Sequence, residues 1–275
     1  MRSSILFLIF LGSSFLQNMD AQNYKLVWND DFNYSGKPDP EKWNYETGFI
    51  RNLEEQIYTK RKKNVRVKNG KLEITALKEE YKNKRYDPDI QNYRMNTQYS
   101  EYTSGSVNTK DKFEFKYGRV EVRAKLPEGN GVWPAIWMLG ANFEEIEYPL
   151  AGEIDIMEHV GIEPQEVHAT VHFPWDNQNG IKSNGGTKNL KDLATEFHVY
   201  SVEWTPEKIE FLIDNISFHT FTIDDAGVEN NPFRKPFYLI LNLALGGNWA
   251  GPVDPDILPQ KFTIDYVRVY KQIEE

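Results

Sequence analysis

The chain has 275 residues, 40% of them apolar, and 41 acidic against 32 basic side chains give a net charge of −9. This balance permits one large core or two small ones and argues against nucleic acid or an anionic membrane surface as a partner. The lack of cysteine excludes disulfides, thiol catalysis, cysteine metal sites and an acylated lipoprotein anchor.

Residues 1–21 read as a secretory signal peptide. Arg2 is the positive n-region, Ile5 to Leu16 the apolar stretch, and Ala21 the small residue before the cut, although Met19 fits poorly two positions earlier. The apolar run is shorter than the roughly 20 residues that span a bilayer, so cleavage near Gln22 is expected rather than a membrane anchor. From Gln22 to the end the chain reads as one continuous domain without repeats or a Pro/Ser-rich linker.

Short strands with period-2 alternation dominate that domain. They are predicted at Lys71–Ala76, Gly118–Leu126, Glu166–Phe173, Lys208–Ile213 and Phe262–Tyr270, separated by turn signals at Asn69-Gly70, Pro127-Glu128-Gly129 and Asp214-Asn215. Asn189–Ala194 is predicted to make one or two helical turns, and no long amphipathic helix is expected. Many short strands with regular turns imply an all-β antiparallel sandwich or barrel. Aromatic residues are 14% of the chain, enough for a core and for a sugar-stacking surface as well.

The segment Gly152-Glu153-Ile154-Asp155-Ile156-Met157-Glu158-His159 carries the chemistry. On a regular strand Glu153 and Asp155 share a face and Glu158 points away. A bulge at Ile156-Met157 resets the alternation and returns Glu158 to the face of the other two acids, with Ile154 and Ile156 toward the core. Three carboxyls on one face of an apolar strand repel one another, an arrangement structural charges rarely take. Glycosidic cleavage needs such a set: one carboxyl as general acid and one as nucleophile or base, about 5–5.5 Å apart for retention of configuration. A third acid between them holds a shared proton and separates their pKa values.

Glu-Ile-Asp-Ile-Met-Glu resembles the bulged signature of glycoside hydrolase family 16, found in laminarinases, related β-glucanases, agarases and carrageenases. Further stretches resemble its β-1,3- and mixed-linkage glucanase branch: Val27–Phe32, Asn52–Thr59, Gly131–Leu139, Asn242–Trp249 and Ile264–Tyr270. The resemblance implies a jelly-roll sandwich of two antiparallel sheets with a concave substrate cleft, residues 22–275 forming the catalytic domain. It implies a retaining double displacement, with Glu153 as nucleophile, Glu158 as acid and then base, and Asp155 tuning the nucleophile. It also implies sugar contacts from Trp133 and Trp137, which share a face, from Asn52 and Asn242 on the glycone side, from Trp249 after the flexible Gly246-Gly247 loop, and from His172 near the leaving group. No cofactor is expected for catalysis. One structural Ca²⁺ is implied, held by the Asp265 side chain and the backbone carbonyls of Gly70 and Asp31.

One position departs from the pattern. Many laminarinases carry Arg where Ser106 stands in Tyr102–Val107, and Arg51 is the candidate to reach the same region. The loops Glu79–Gln98, Asn142–Leu150 and Pro174–Asn189 are expected to set specificity. The leading expectation is an endo-β-1,3- or β-1,3-1,4-glucanase, a secreted or periplasmic monomer whose partner is a β-glucan polysaccharide or oligosaccharide. Rivals are a hydrolase of red-algal galactans such as agarose or carrageenan, a transglycosylase, and a non-catalytic glucan-binding module, which the three acids disfavour. A sulfated substrate would need clustered cations in the cleft, and the dense Lys60-Arg61-Lys62-Lys63 run reads as a solvated turn.

Overall fold

A computed structural model describes residues 24–175 and 180–273, so the signal-peptide segment lies outside the described residues. In chain order the strands are β1 (Tyr24–Asp30), β2 (Asn44–Tyr45), β3 (Gln56–Tyr58), β4 (Val65–Lys68), β5 (Lys71–Lys82), β6 (Tyr99–Ser104), β7 (Ser106–Asn108), β8 (Gly118–Lys125) and β9 (Val132–Gly140). They continue with β10 (Glu153–Glu158), β11 (Glu166–Trp175), β12 (Gly180–Asn189), β13 (His198–Trp204), β14 (Lys208–Ile213), β15 (Ile216–Thr222), β16 (Phe237–Leu245) and β17 (Gln260–Gln272). Two one-turn helices, α1 (Tyr93–Asn96) and α2 (Phe143–Ile146), sit in loops. Asn189–Ala194 is not helical. Asn189 ends β12, and in the turn that follows Leu190 N and the Leu193 carbonyl bond to Gln165 and Leu126 instead of to a helix, leaving local bonds from Thr195 and Glu196 to the carbonyl of Asp192.

The strands form the two sheets of a jelly-roll sandwich. One sheet runs β15-β14-β13-β8-β17-β5-β6-β3, with β1 on β17 and β4 on β5; the other runs β12-β11-β10-β9-β16-β7-β2. All pairings are antiparallel except β3 with β6. The turns behave as their residues require. Asn69-Gly70 and Asp214-Asn215 hold positive φ at both central positions, the mirror-image turn that matches strand twist.

The core fills the space between the sheets, and alternation decides which residues enter it. On β8, Val120, Val122 and Ala124 face inward, while Glu121, Arg123 and Lys125 face out. On β17 a single alternation fails. The register jumps between Ile264 and Tyr266, so Phe262 and Ile264 are core before the irregularity, and Val267 and Val269 are core after it. Asp265 is the extra residue that absorbs the shift. In the second sheet Ile136 and Met138 of β9, and Leu239, Leu241 and Leu243 of β16, point into the main core. Their alternate neighbours Ala135, Trp137, Leu139, Tyr238 and Ile240 form a separate apolar floor on the opposite, concave face.

Two loop expectations are revised. Most of Pro174–Asn189 is strand: Pro174 and Trp175 finish β11, and β12 returns beside it in unbroken register from Ile181 to Asn189. As an edge strand β12 is exposed along nearly its whole length, so its Asn- and Gly-rich sequence has no core face to announce it. The Glu79–Gln98 stretch is strand as far as Lys82, and residues 83–98 form an excursion containing α1.

Candidate active site

The acidic strand β10 lies near the middle of the concave sheet, between β9 and β11. Against β9, Asp155 pairs with Trp137 and Met157 with Ile136, leaving Ile156 unpaired; against β11 the register jumps from Asp155–Thr170 to Glu158–His168. This is the bulge expected at Ile156-Met157. It puts Ile154, Ile156 and Met157 into the core and Glu153, Asp155 and Glu158 into one cleft of about 500 Å³.

Geometry ties the acids to their surroundings. Trp133 Nε1 donates to Glu158 Oε1 at 3.0 Å. His172, paired with Glu153 across the strands, brings Nε2 to 3.2 Å from Asp155 Oδ2 and 3.9 Å from Glu153 Oε1. The same ring's Nδ1 lies 2.7 Å from Ser183 Oγ, which fixes its orientation. Burial raises all three carboxyls above the ordinary range. Glu153 and Asp155 are pushed furthest, Glu153 by Asp155 and Glu158 and Asp155 by Glu158, while the Trp133 N–H and His172 restrain Glu158. Glu153 keeps 21% of its side-chain exposure at the mouth of the cleft, so water softens its burial cost; Asp155 keeps 3%. A carboxyl set of this kind can hold one member protonated beside an ionised one near neutral pH.

The end of the cleft that the resemblance assigns to the glycone is built by β16, β9 and the 46–58 segment. Trp137 Nε1 donates to Asn242 Oδ1 at 2.7 Å, and Asn242 Nδ2 donates to Tyr58 Oη at 3.2 Å. Arg51 lies over the Trp137 ring, 4.9 Å from its centre, and forms an ion pair with Glu46, which also accepts from Ser106 Oγ at 2.6 Å. Arg51 and Ser106 therefore meet at the same carboxylate, so the loop does bring a cation to the strand that lacks one. Burial works against the Arg51 charge, but Glu46 and Glu54 outweigh it and raise its pKa, while its Nη1 has no hydrogen-bond partner.

Asn52 lines the cleft with a positive φ of 55°. The Gly246-Gly247 turn, expected to be flexible, is pinned. Gly246 N donates to the Gly131 carbonyl at 2.8 Å and Asn248 N to the Asn52 carbonyl at 3.0 Å, and a Cβ on Gly247 would come within 2.8 Å of that Asn52 oxygen. Trp249 packs edge-on against Trp133, 5.4 Å between centres, and against His168 at 4.8 Å; it flanks the cleft floor.

Sequence reasoning missed Glu46, Glu54, Arg94 and Tyr238, and named Phe143 and Tyr148 only as part of a loop; all six line the cleft. Tyr148 had a signal in its position just before the acidic strand. Burial and the three acids, Glu153 first, raise its phenol. Glu54 lies inside the Asn52–Thr59 stretch and is tied by Gln56 Nε2 at 2.7 Å. Nothing local marks Glu46 or Arg94.

The implied calcium ligands lie away from this cleft, on the other sheet. Both oxygens of Asp265 face cations: Arg123 Nη1 lies 2.6 Å from Oδ2 and Lys71 Nζ 3.3 Å from Oδ1. A Cβ on Gly70 would meet nothing within 4 Å, so its turn is open. A calcium ion held by Asp265, Gly70 and Asp31 would have to displace Lys71 and compete with Arg123 for the one carboxylate.

Comparison with known proteins gives a consistent outcome. The profile of the family described as "Glycosyl hydrolases family 16" matches residues 52–268. A "Beta-glucanase" of Rhodothermus marinus is 41% identical over 288 aligned positions, covering 99% of this chain and 95% of the relative. A "Keratan-sulfate endo-1,4-beta-galactosidase" of Sphingobacterium multivorum is 34% identical, covering 90% of this chain and 56% of that one. A solved structure described among endo-acting O-glycanases that prominent members of the human gut microbiota express to initiate mucin breakdown superposes with a TM-score of 0.86 at 40% identity, covering 90% and 91% of the two chains.

Proposed function

The chain belongs to glycosyl hydrolase family 16, and from that premise we infer that it is an endo-acting, retaining glycoside hydrolase cleaving β-1,3- or mixed β-1,3-1,4-glucan. The observation that carries the reading is the bulge at Ile156, which gathers Glu153, Asp155 and Glu158 into one cleft.

In this reading the Glu153 carboxylate attacks the anomeric carbon. The glycosidic C–O bond breaks, its electron pair goes to the leaving oxygen, and Glu158 delivers a proton there. Glu158, now ionised, takes a proton from water. The water oxygen attacks the glycosyl ester and frees Glu153, so two inversions give retention. Asp155 shares a proton with Glu153 in the resting state, and the Trp133 N–H orients Glu158. Trp137, Asn242, Asn52 and Arg51 hold the glycone sugars, with Trp249 and His172 flanking the floor and the nucleophile.

The test is a digest of laminarin, lichenan, barley β-glucan, agarose and carrageenan with product analysis. Reducing ends from a glucan, released first as the β-anomer, are expected; release from none of the glucans refutes the reading. Glu153→Ser should abolish turnover and keep binding.

A second reading, cleavage of a galactose-containing β-linked chain, is favoured by one observation. The O-glycanase structure superposes over nine-tenths of the chain at 40% identity. Keratan and mucin-type glycans in the same panel decide between the two. The proposal extends to one structural calcium at Asp265, Gly70 and Asp31, and to export through the 1–21 signal peptide, which N-terminal sequencing of the secreted protein would check. Among the described residues no helix is long and apolar enough to cross a membrane.

A further inference from the structure

The turn of residues 159–165 carries the chain from the acidic strand β10 into β11, and its backbone is fastened on both sides. Gly161 N donates to the Val132 carbonyl at 3.0 Å, Glu163 N to the Val160 carbonyl at 2.9 Å and Glu166 N to the Glu163 carbonyl at 3.0 Å. His159 Nδ1 lies 2.8 Å from the Glu166 carbonyl oxygen. Held this way, the turn delivers the Glu163 carboxylate to the third residue of β11, where His168 Nε2 lies 2.9 Å from Glu163 Oε2. A carboxylate accepts, so the ring carries a proton on Nε2 and that bond fixes its orientation.

Contacts run on from this ring to the acidic centre. His168 meets Trp249 edge-to-face, with 4.8 Å between centres and 74° between planes, and Trp249 meets Trp133 in the same manner at 5.4 Å and 85°. Trp133 Nε1 in turn donates to Glu158 Oε1 at 3.0 Å. The circuit closes on itself, because His168 is the residue of β11 that pairs with Glu158 of β10. Val160, Ala244 and Ala250 pack with the two tryptophans in one small apolar cluster. Edge-to-face rings hold a preferred geometry, so a rotation of one is felt by the next. Neither Glu163 nor His168 is among the described residues that line the cleft. Glu163 keeps 41% of its side-chain exposure, and an ion pair so exposed contributes little to stability by itself.

We propose that Glu163 and His168 are positioning residues for the acid–base step. Glu163 fixes the His168 ring, His168 fixes Trp249, and Trp249 keeps the Trp133 N–H aimed at Glu158. The proposal rests on the assignment of Glu158 as acid and then base, and it names what aims that carboxyl from outside the cleft.

The test compares kcat/KM, which reports the first bond cleavage, on two β-glycosides of laminaribiose. A phenol leaving group needs the proton from Glu158, whereas dinitrophenol departs as its anion and needs none. Glu163→Ala is expected to lose about threefold and His168→Ala about tenfold on the phenyl glycoside, with the dinitrophenyl glycoside changed by less than about twofold. Glu163→Gln keeps an oxygen that accepts from the ring and should restore most of the rate. The basic limb of the kcat/KM–pH profile should move upward in Glu163→Ala and His168→Ala, because a loosened Trp133 N–H no longer favours the charged Glu158 carboxyl. Glu153, Asp155, His172 and Tyr148 are the other titratable groups that interact with Glu158, and none of them is replaced. Once Trp133→Phe has removed the N–H, Glu163→Ala should add no further loss. Rates unchanged in Glu163→Ala, equal losses on the two glycosides, or full additivity in the double variant overturns the proposal and leaves Glu163 and His168 as a surface ion pair. Cleavage of neither glycoside by the unaltered enzyme overturns the β-glucan reading instead, and the pH limb on whichever glycan of the panel is cut then decides the proposal.

Discussion

Replacing Asp155 by asparagine is expected to slow the enzyme and to stabilise the fold near neutral pH. Carboxylate oxygens of Glu153 and Asp155 and a ring nitrogen of His172 all lie within 4.8 Å of one another. Two full charges at that distance, with an effective dielectric constant of about 20, repel by ~3.5 kcal/mol. His172 and the proton shared between the carboxyls relieve part of this, so the expected gain is about 1–2 kcal/mol, a rise in Tm of about 2–8 °C. An amide N–H at this position can donate to Glu153, while the contact of His172 Nε2 at 3.2 Å from Asp155 Oδ2 is weakened, which keeps the expected gain below the full repulsion. The sign with pH follows from burial and mutual repulsion, which raise both carboxyls in the folded state. Folding therefore takes up protons, and stability falls as pH climbs from the ordinary carboxylate range near ~4 toward the raised values. Below ~4 folded and unfolded chains are both protonated and the penalty is gone. Melting curves of both proteins across this range, beside kcat, read the effect, with kcat expected to fall ~100-fold. A Tm near neutrality equal to or below that of the unaltered protein, or a gain undiminished in acid, would refute the reasoning.

Trp133→Phe keeps an aromatic ring and removes the N–H that restrains Glu158. The Glu158 pKa should then rise further, moving the basic limb of the kcat/KM–pH profile upward while the rate falls about tenfold; an unmoved limb counts against the contact. Arg51→Ala strands Glu46 and Glu54 at a half-enclosed site and should cost about 3 kcal/mol by chemical denaturation, as well as raising KM. An unchanged KM on every glucan would remove Arg51 from substrate binding, and a double-mutant cycle with Glu46 would measure their coupling. Chelation should lower Tm without changing kcat, because the proposed calcium ligands lie on the other sheet; an unmoved Tm would count against calcium.

The acidic strand was the most legible part of the sequence because its message is local. Three acids among Ile154, Ile156 and Met157 make sense only with a bulge, and the register supplies one at Ile156. Alternation likewise located β8 and β14, whose inward and outward residues differ in kind. It gave no warning of β12, an edge strand exposed on both faces, nor of the parity change at Asp265, where one inserted residue leaves both flanking runs apolar. Arg94 and Glu46 were illegible for another reason. Each reaches the cleft through an anchor elsewhere in the chain, Arg94 through Asn83 and Tyr93, and Glu46 through Ser106.

The same distinction explains why reaction type and substrate choice separate so cleanly in this molecule. Glu153, Asp155 and Glu158 take their positions from one strand whose apolar residues are locked in the main core, so the register of that strand sets where the acids stand. The wall at the Asn52 end of the cleft is assembled differently. Its cation comes from Arg51 on a loop, steadied by a carboxylate that also binds the Ser106 hydroxyl, and its outer edge from an excursion fastened by Asn83 and Tyr93. A guanidinium seated over Trp137 covers ring surface that a sugar would otherwise use, while its unpartnered Nη1 supplies a donor there. The ring and the cation must therefore be treated as one recognition surface, and exchanging Ser106 for arginine would place a second cation against Glu46, which already pairs with Arg51. Arginine at Ser106 should thus disturb binding unless Arg51 is removed with it, and the double replacement should bind neutral glucan better than the Ser106→Arg variant alone. Equal affinity of the two would show that the cations act at independent places in the wall.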